Sequence, residues 1–177
     1  MKTKNLVGLT MLGVIGFILL KSCKTIPANA VAVKPFDVKK YLGTWYEIAR
    51  FDYRFEKDLN NTTANYSLND EGSIKVVNRG FNYKTGIWKV ARGKAKFVSA
   101  ADEAKLRVSF FGPFYSGYNV IDLDPDYKYA LVAGKNLNYL WILSREKTIP
   151  ENIKQSFLQK AKAVGYKVEE LLWVKQE

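Results

Sequence analysis

From residue 36 to residue 145 apolar and polar positions alternate in short runs, and turn residues break the alternation every few positions. A period of two is what a strand shows when one face is buried and the other meets water. The runs are "TANYSL" (63–68), "SIKVVNRGF" (73–81), "IWKVARGKAKFV" (87–98), "KLRVSFF" (105–111), "YNVIDLD" (118–124), "YKYALVAG" (127–134) and "NYLWILSR" (138–145). Between them stand "NDEG", "NYKTG", "GP", "PD" and "KNL", which are turn chemistry. With "YLGTWYEIARF" (41–51) at the front, eight strands follow one another through short loops. A meander of that size closes into an up-and-down antiparallel barrel, and closure removes the exposed edges of an open sheet. A sandwich is the alternative that the same pattern allows.

The period then changes. Ile153, Phe157, Ala161 and Val164 fall on one face at helical spacing. Thr148 and Glu151 have the spacing of a capping box, Pro150 suits the first turn, and Gly165 is placed to end the helix. One α-helix with a single apolar side is expected to pack outside the barrel. "VEELLWVKQ" (168–176) can add a ninth strand. No internal repeat or second domain is visible.

Residues 1–22 read as a signal peptide: Lys2 and Lys4 precede an uncharged apolar run at 6–20, too short for a bilayer span of about 20 residues. "LKSC" (20–23) resembles the bacterial lipoprotein box, with Lys21 departing from its usual small or apolar second place. The resemblance implies cleavage before Cys23 and acylation of that cysteine. Lys24 in place of Asp then implies sorting to the outer membrane, with the periplasmic face expected. A plain signal peptide with a chance cysteine and an uncleaved anchor are the alternatives. Residues 23–35 read as the lipidated cysteine and a tether, and residues 36–177 as the folded domain.

Composition narrows the chemistry. The 177 residues contain no histidine and a single cysteine, Cys23, so Ser/His or Cys/His catalysis, imidazole haem ligation, Cys/His zinc sites and an internal disulfide are all excluded. No cofactor and no metal are expected. The formal charge is +11, and loss of residues 1–22 takes away Lys2, Lys4 and Lys21 and no acid, leaving +8. The lysines are scattered and no basic helix or RNA-binding aromatic motif accompanies them, so nucleic acid is not expected as a partner. A basic surface does help a single acyl chain hold a membrane.

Three stretches carry a further resemblance. "GTWYEIARF" (43–51), "FFGPFYSGYNVIDLD" (110–124) with "DYKYALV" (126–132), and "YLWILSR" (139–145) resemble, in order, the motifs of the lipocalin family in its bacterial and apolipoprotein D-like form. The resemblance implies an eight-stranded barrel with one end closed. Gly43 lets the chain bend into the first strand, Trp45 plugs the narrow end, and Arg145 lies across the indole as a cation–π partner. It also implies a lipid ligand, a fatty acid or lysophospholipid, carried or stored without a covalent step by a monomer or homodimer. An enzyme of the lipocalin type and a barrel too full for any ligand are the alternatives.

Strand parity then gives candidate cavity residues. Glu47 and Ala49 share the interior side with Trp45, which leaves Tyr46, Ile48 and Arg50 facing out. Glu47 inside an apolar space needs a cation, donors, water or a proton; it is either a ligand anchor or an internal strut. Further rows are Ala64, Tyr66 and Leu68; Ile74, Val76 and Asn78; Leu106, Val108 and Phe110. On the sixth strand Asn119, Ile121 and Leu123 are preferred over Tyr118, Val120 and Asp122, because the second set would bury Asp122. Trp141 completes the wall. Phe110, Phe111, Phe114, Tyr115 and Tyr118, with Phe51, Tyr53 and Phe55 among Arg50, Arg54 and Lys57, are expected at the mouth, where an amphiphile's acidic head would rest.

Overall fold

The structure, a computed structural model, describes residues 25–177; the expected signal peptide and Cys23 lie outside the described residues. A short helix α1 (Val38–Tyr41) leads into β1 (Gly43–Arg50), β2 (Leu59–Leu68), β3 (Ile74–Asn82), β4 (Ile87–Phe97), β5 (Lys105–Phe111), β6 (Phe114–Leu123), β7 (Tyr129–Ala133) and β8 (Leu140–Ser144). Helix α2 (Glu151–Val164) and a two-residue strand β9 (Leu172–Trp173) follow. Each strand from β2 to β8 pairs antiparallel with the next, β8 pairs with β1, and β1 pairs with β2, so the sheet closes on itself as the alternation predicts.

Closure between β1 and β2 is direct only along Gly43–Tyr46, opposite Tyr66–Thr63. Higher up the C-terminal segment fills the seam: β9 pairs with Ala49 and Arg50, and Gln176 donates to the carbonyls of Glu47 and Thr62 at 2.8 and 2.9 Å. The ninth strand thus supplies hydrogen bonds that two diverging strands would otherwise lose.

Two cores result. Inside the barrel, Trp45, Ala64, Tyr66, Ile74, Val76, Leu106, Val120, Val132 and Leu143 pack together near one end. Outside it, Phe157, Ala161 and Val164 of α2 cover Ala49, Ile121, Leu131, Leu140 and Ile142. The helix ends where expected, with Gly165 in the left-handed region at φ 111°, which only glycine adopts without strain. Its start differs from expectation. Pro150 occupies the N-cap with no side-chain cap, and Thr148 uses its carbonyl to accept from Ser144 instead of forming a capping box.

The segment expected to act as a tether is bonded to the barrel from Thr25 onward. Asn119 donates to the Thr25 carbonyl at 2.7 Å, Val33 bridges Val120 and Ala104, and Phe36 bonds Asp102. Ala30 and Ala32 are buried along the way.

Candidate functional site

β1 enters the barrel through Gly43, whose φ of 93° turns the chain and whose missing Cβ leaves room for the Arg145 guanidinium. Trp45 is fully buried and donates its indole N–H to the Tyr41 carbonyl at 2.8 Å. Arg145 lies over the indole ring at 3.9 Å and donates to the carbonyls of Thr44, Lys40, Leu42 and Tyr127 at 2.8–3.2 Å. α1 is thereby tied across the barrel end, and that end is shut.

Above this floor the barrel is hollow. A cavity of about 630 Å³ runs to the opposite end, walled by Tyr66, Ile74, Val76, Asn78, Leu106, Val108, Phe110 and Trp141, with Glu47 also on its surface. These are sequence-predicted positions that the fold brings together on one lining. Ala49, Asn119, Ile121, Leu68 and Leu123 are not on it. Ala49, Asn119 and Ile121 face away: Ala49 and Ile121 lie beneath α2, and Asn119 is fully buried against Thr25, Ala133 and Gly134.

The cause is a pair of β-bulges. The β1–β8 register shifts between Glu47 and Ala49, so Ile48 and Ala49 both turn outward and Arg50 turns in, opposite Trp141. The β6–β7 register shifts between Val120 and Asp122, so Ile121 and Asp122 both turn outward, while Val120 and Leu123 pack inward. Asp122 stays out of the core, but by means of the bulge, and Tyr118 is interior. Leu68, at the closed-end margin, is exposed. At the mouth, Phe51 instead packs with Tyr166 beneath α2.

The inward turn of Arg50 supplies the cation that Glu47 requires. Arg50 Nη1 donates to Glu47 Oε1 at 2.6 Å, and Nη2 donates to the carbonyls of Glu56 and Leu59 at 2.7 and 3.1 Å. Glu56, from the β1–β2 loop, brings a second carboxylate 4.0 Å from Arg50 Nε and accepts from the Trp141 indole at 3.3 Å. Burial raises the pKa of both acids; Arg50 opposes the rise at each, and at Glu56 the Glu47 charge adds to it. Sequence reasoning missed Arg50 and Glu56. An arginine three residues after a carboxylate destined for an apolar interior was the available signal.

Lower in the lumen Tyr118 bonds Tyr41 at 2.7 Å and Tyr66 at 2.8 Å through their hydroxyls, and burial pushes all three phenols up, so they stay neutral. At the upper end Arg79, Lys89 and Lys135 border the opening together with Phe55, Phe111 and Phe114. The arrangement is an apolar sleeve with a neutral floor and a cationic, aromatic rim.

A family model for a lipocalin-like domain matches residues 36–176. The chain belongs to the lipocalin family. This lipocalin is 52% identical over 155 residues to the outer membrane lipoprotein Blc of Escherichia coli (strain K12), covering 88% of each chain. It is 43% identical over 161 residues to the protein of the same name from Vibrio cholerae, covering 90% of this chain and 94% of that one. Apolipoprotein D of Rattus norvegicus is 41% identical over 123 residues, covering 65% of this chain and 64% of that one. Among solved structures, insecticyanin from the tobacco hornworm Manduca sexta superposes with a TM-score of 0.67 at 18% identity, over 84% of this chain and 85% of that one, a likeness of fold. Lipocalins bind small hydrophobic ligands and are in general binding and transport proteins.

Proposed function

We propose that this lipocalin binds single-chain lipids, fatty acids or lysophospholipids, in its barrel and carries or stores them at the outer membrane, where acylated Cys23 anchors it. The observation that supports this reading best is the apolar, one-ended cavity of about 630 Å³, within the size range of small-ligand sites. An acyl chain entering it leaves water, and each methylene so transferred contributes about 0.8 kcal/mol before the costs of association.

Charge sets the orientation. A carboxylate or phosphate deep in the lumen would meet Glu47 and Glu56, whereas at the rim it meets Arg79, Lys89 and Lys135. The chain therefore enters first and the head group stays at the opening. Loading needs no covalent step, and the lumen's carboxylates are occupied with Arg50 and Trp141, not arranged around an open reaction centre.

The test is native mass spectrometry of the mature protein extracted from membranes, followed by titration with a fluorescent fatty acid. The proposal expects an N-terminal acyl mass, a single bound lipid per barrel, and displacement of the probe by oleate and lysophosphatidylethanolamine at micromolar concentration. A protein that carries no lipid and displaces no probe would overturn it. So would release of a chemically altered lipid.

A further inference from the structure

The large hydrophobic side chains left in water are concentrated at the open end. Phe111 and Phe114, at the tip of the β5–β6 hairpin, are 81% and 78% exposed, and Phe55 and Leu137 on the neighbouring loops and Ile87 at the start of β4 are exposed as well. Phe55 stacks on Tyr53 and all three phenylalanines border the cavity mouth, but most of each ring faces water, and a cluster of such side chains marks an interaction surface.

Charge follows the same axis. The open-end loops and strand ends carry Arg54, Lys57, Arg79, Lys84, Lys89 and Lys135 against Asp52 and Asp58, with Lys84 engaged to Asp58 at 3.0 Å and Glu56 buried beside Arg50. The three strand-to-strand turns at the closed end carry Asp70, Glu71, Asp102, Glu103, Asp124 and Asp126; Lys34 pairs with Asp102 at 3.3 Å, Lys94 with Glu71 and Lys128 with Asp126, and Lys39 and Lys40 stand beside them on α1. A negatively charged surface is attracted to the rim, whereas at the closed-end turns the acids and their lysines largely offset one another.

The N-terminal segment fixes which way the barrel points. It runs from the closed end, where Phe36 bonds Asp102, up the outside of β6 to Thr25, whose carbonyl lies against Gly117 and Asn119. Gly117 is three residues from Phe114, about 10 Å along the strand. Only Lys24 separates Thr25 from Cys23 in the sequence. A free tether of a dozen residues would let the barrel adopt any orientation; two residues do not.

From these observations we infer that the open rim of the barrel is a membrane-docking face, on which Phe111 and Phe114 seat in an anionic phospholipid surface with the surrounding lysines and arginines on its head groups. The inference rests on the proposed acylation of Cys23 for its orientation, while the aromatic and basic rim stands apart from it. The cavity then opens onto the bilayer, and an acyl chain passes between membrane and barrel without crossing bulk water.

Hydrogen exchange of the mature protein tests this, in vesicles of phosphatidylethanolamine with phosphatidylglycerol and, for comparison, free of lipid. Intact mass first reports whether Cys23 is acylated, so failure of that reading is seen separately. The expected result is slowed exchange at residues 53–57, 111–115 and 135–139, with none at 69–73 and 124–128. Equal exchange at both ends, or protection at the closed-end turns, would overturn the inference; so would rim protection without vesicles that grows with protein concentration, which would place a second copy there. An Ile87→Ser/Leu137→Ser variant alters only exposed rim side chains that do not line the cavity. It is expected to keep fluorescent fatty acid affinity within about twofold while slowing transfer of that probe between vesicles about tenfold or more; unchanged transfer would equally overturn the inference.

Discussion

Arg50 reaches Glu47 at 2.6 Å inside the barrel although a regular strand would put the two side chains on opposite faces. The bulge at Ile48–Ala49 brings them to the same side, and both are almost wholly buried. Removing the arginine leaves Glu47 and Glu56 in an apolar wall without their cation, so Arg50→Ala is expected to destabilise the fold by about 3–5 kcal/mol. Replacing all three charges, as Glu47→Gln, Arg50→Met and Glu56→Gln together, is expected to cost less than Arg50→Ala alone. Urea unfolding of the three proteins, wild type included, checks this; a triple variant weaker than Arg50→Ala would mean that the cluster is net stabilising.

The same cluster makes stability depend on pH. Burial and the neighbouring Glu47 charge raise the pKa of Glu56 well above its ordinary 4.5, so the folded state binds that proton more tightly than the unfolded chain. Where the folded state holds more protons, stability falls as pH rises. The fall begins near the ordinary value and continues through the raised one; below both, the penalty is gone. Glu56→Gln removes this dependence. The stability difference between wild type and Glu56→Gln is therefore expected to move against wild type from pH 4.5 upward, and a difference that stays flat across that range would refute the assignment.

At the closed end Arg145 combines a stacked contact with Trp45 and four bonds to backbone carbonyls, three of which hold α1 and the entry to β1. Charged hydrogen bonds of this kind contribute about 1.5–3 kcal/mol each at most, and the ring contact about 0.5–2. Arg145→Ala is expected to cost about 3 kcal/mol overall, since water replaces part of what is lost, and to diminish the near-ultraviolet circular dichroism of the indole. Arg145→Lys keeps the charge but not the planar fork, and is expected to recover less than half. Full recovery by lysine would show that the charge alone matters.

How far the sequence discloses this molecule can be judged strand by strand. Alternation gave Ile74, Val76 and Asn78 the correct phase because β3 pairs along β4 without a register shift, and Val108 and Phe110 as well because the β5–β6 shift between Val108 and Phe111 leaves both side chains on the cavity. The helix was legible for a similar reason, since its apolar face repeats over three turns before Gly165 stops it. Ala49, Asn119 and Ile121 were misplaced where a single extra residue enters a strand. Nothing in a hydrophobicity pattern separates "IAR" with a bulge from "IAR" without one. At β6 the reasoning rightly kept Asp122 out of the core and then chose the wrong mechanism. Charge logic would have served better at β1: Glu47 needed a cation, and Arg50 was the nearest.

The corrected phases lead to a pair of substitutions with opposite effects. Val76 lines the cavity on β3 at the edge of the inner core, so Val76→Trp projects into empty volume and is expected to cost about 1–3 kcal/mol in stability. It occupies the space an acyl chain would use and is expected to weaken fluorescent fatty acid binding about tenfold or more, about 1.4 kcal/mol. Ile121 lies on the outer surface of β6 under α2, so Ile121→Ala opens a hole between helix and barrel and is expected to cost about 2–5 kcal/mol. Its affinity for the same probe should stay within about twofold, because the cavity wall is untouched. Thermal unfolding and probe titration on both variants separate the two effects. If Ile121→Ala weakened binding while Val76→Trp did not, the bulge in β6 would be misassigned, and the lumen would lie on the other face of the strand.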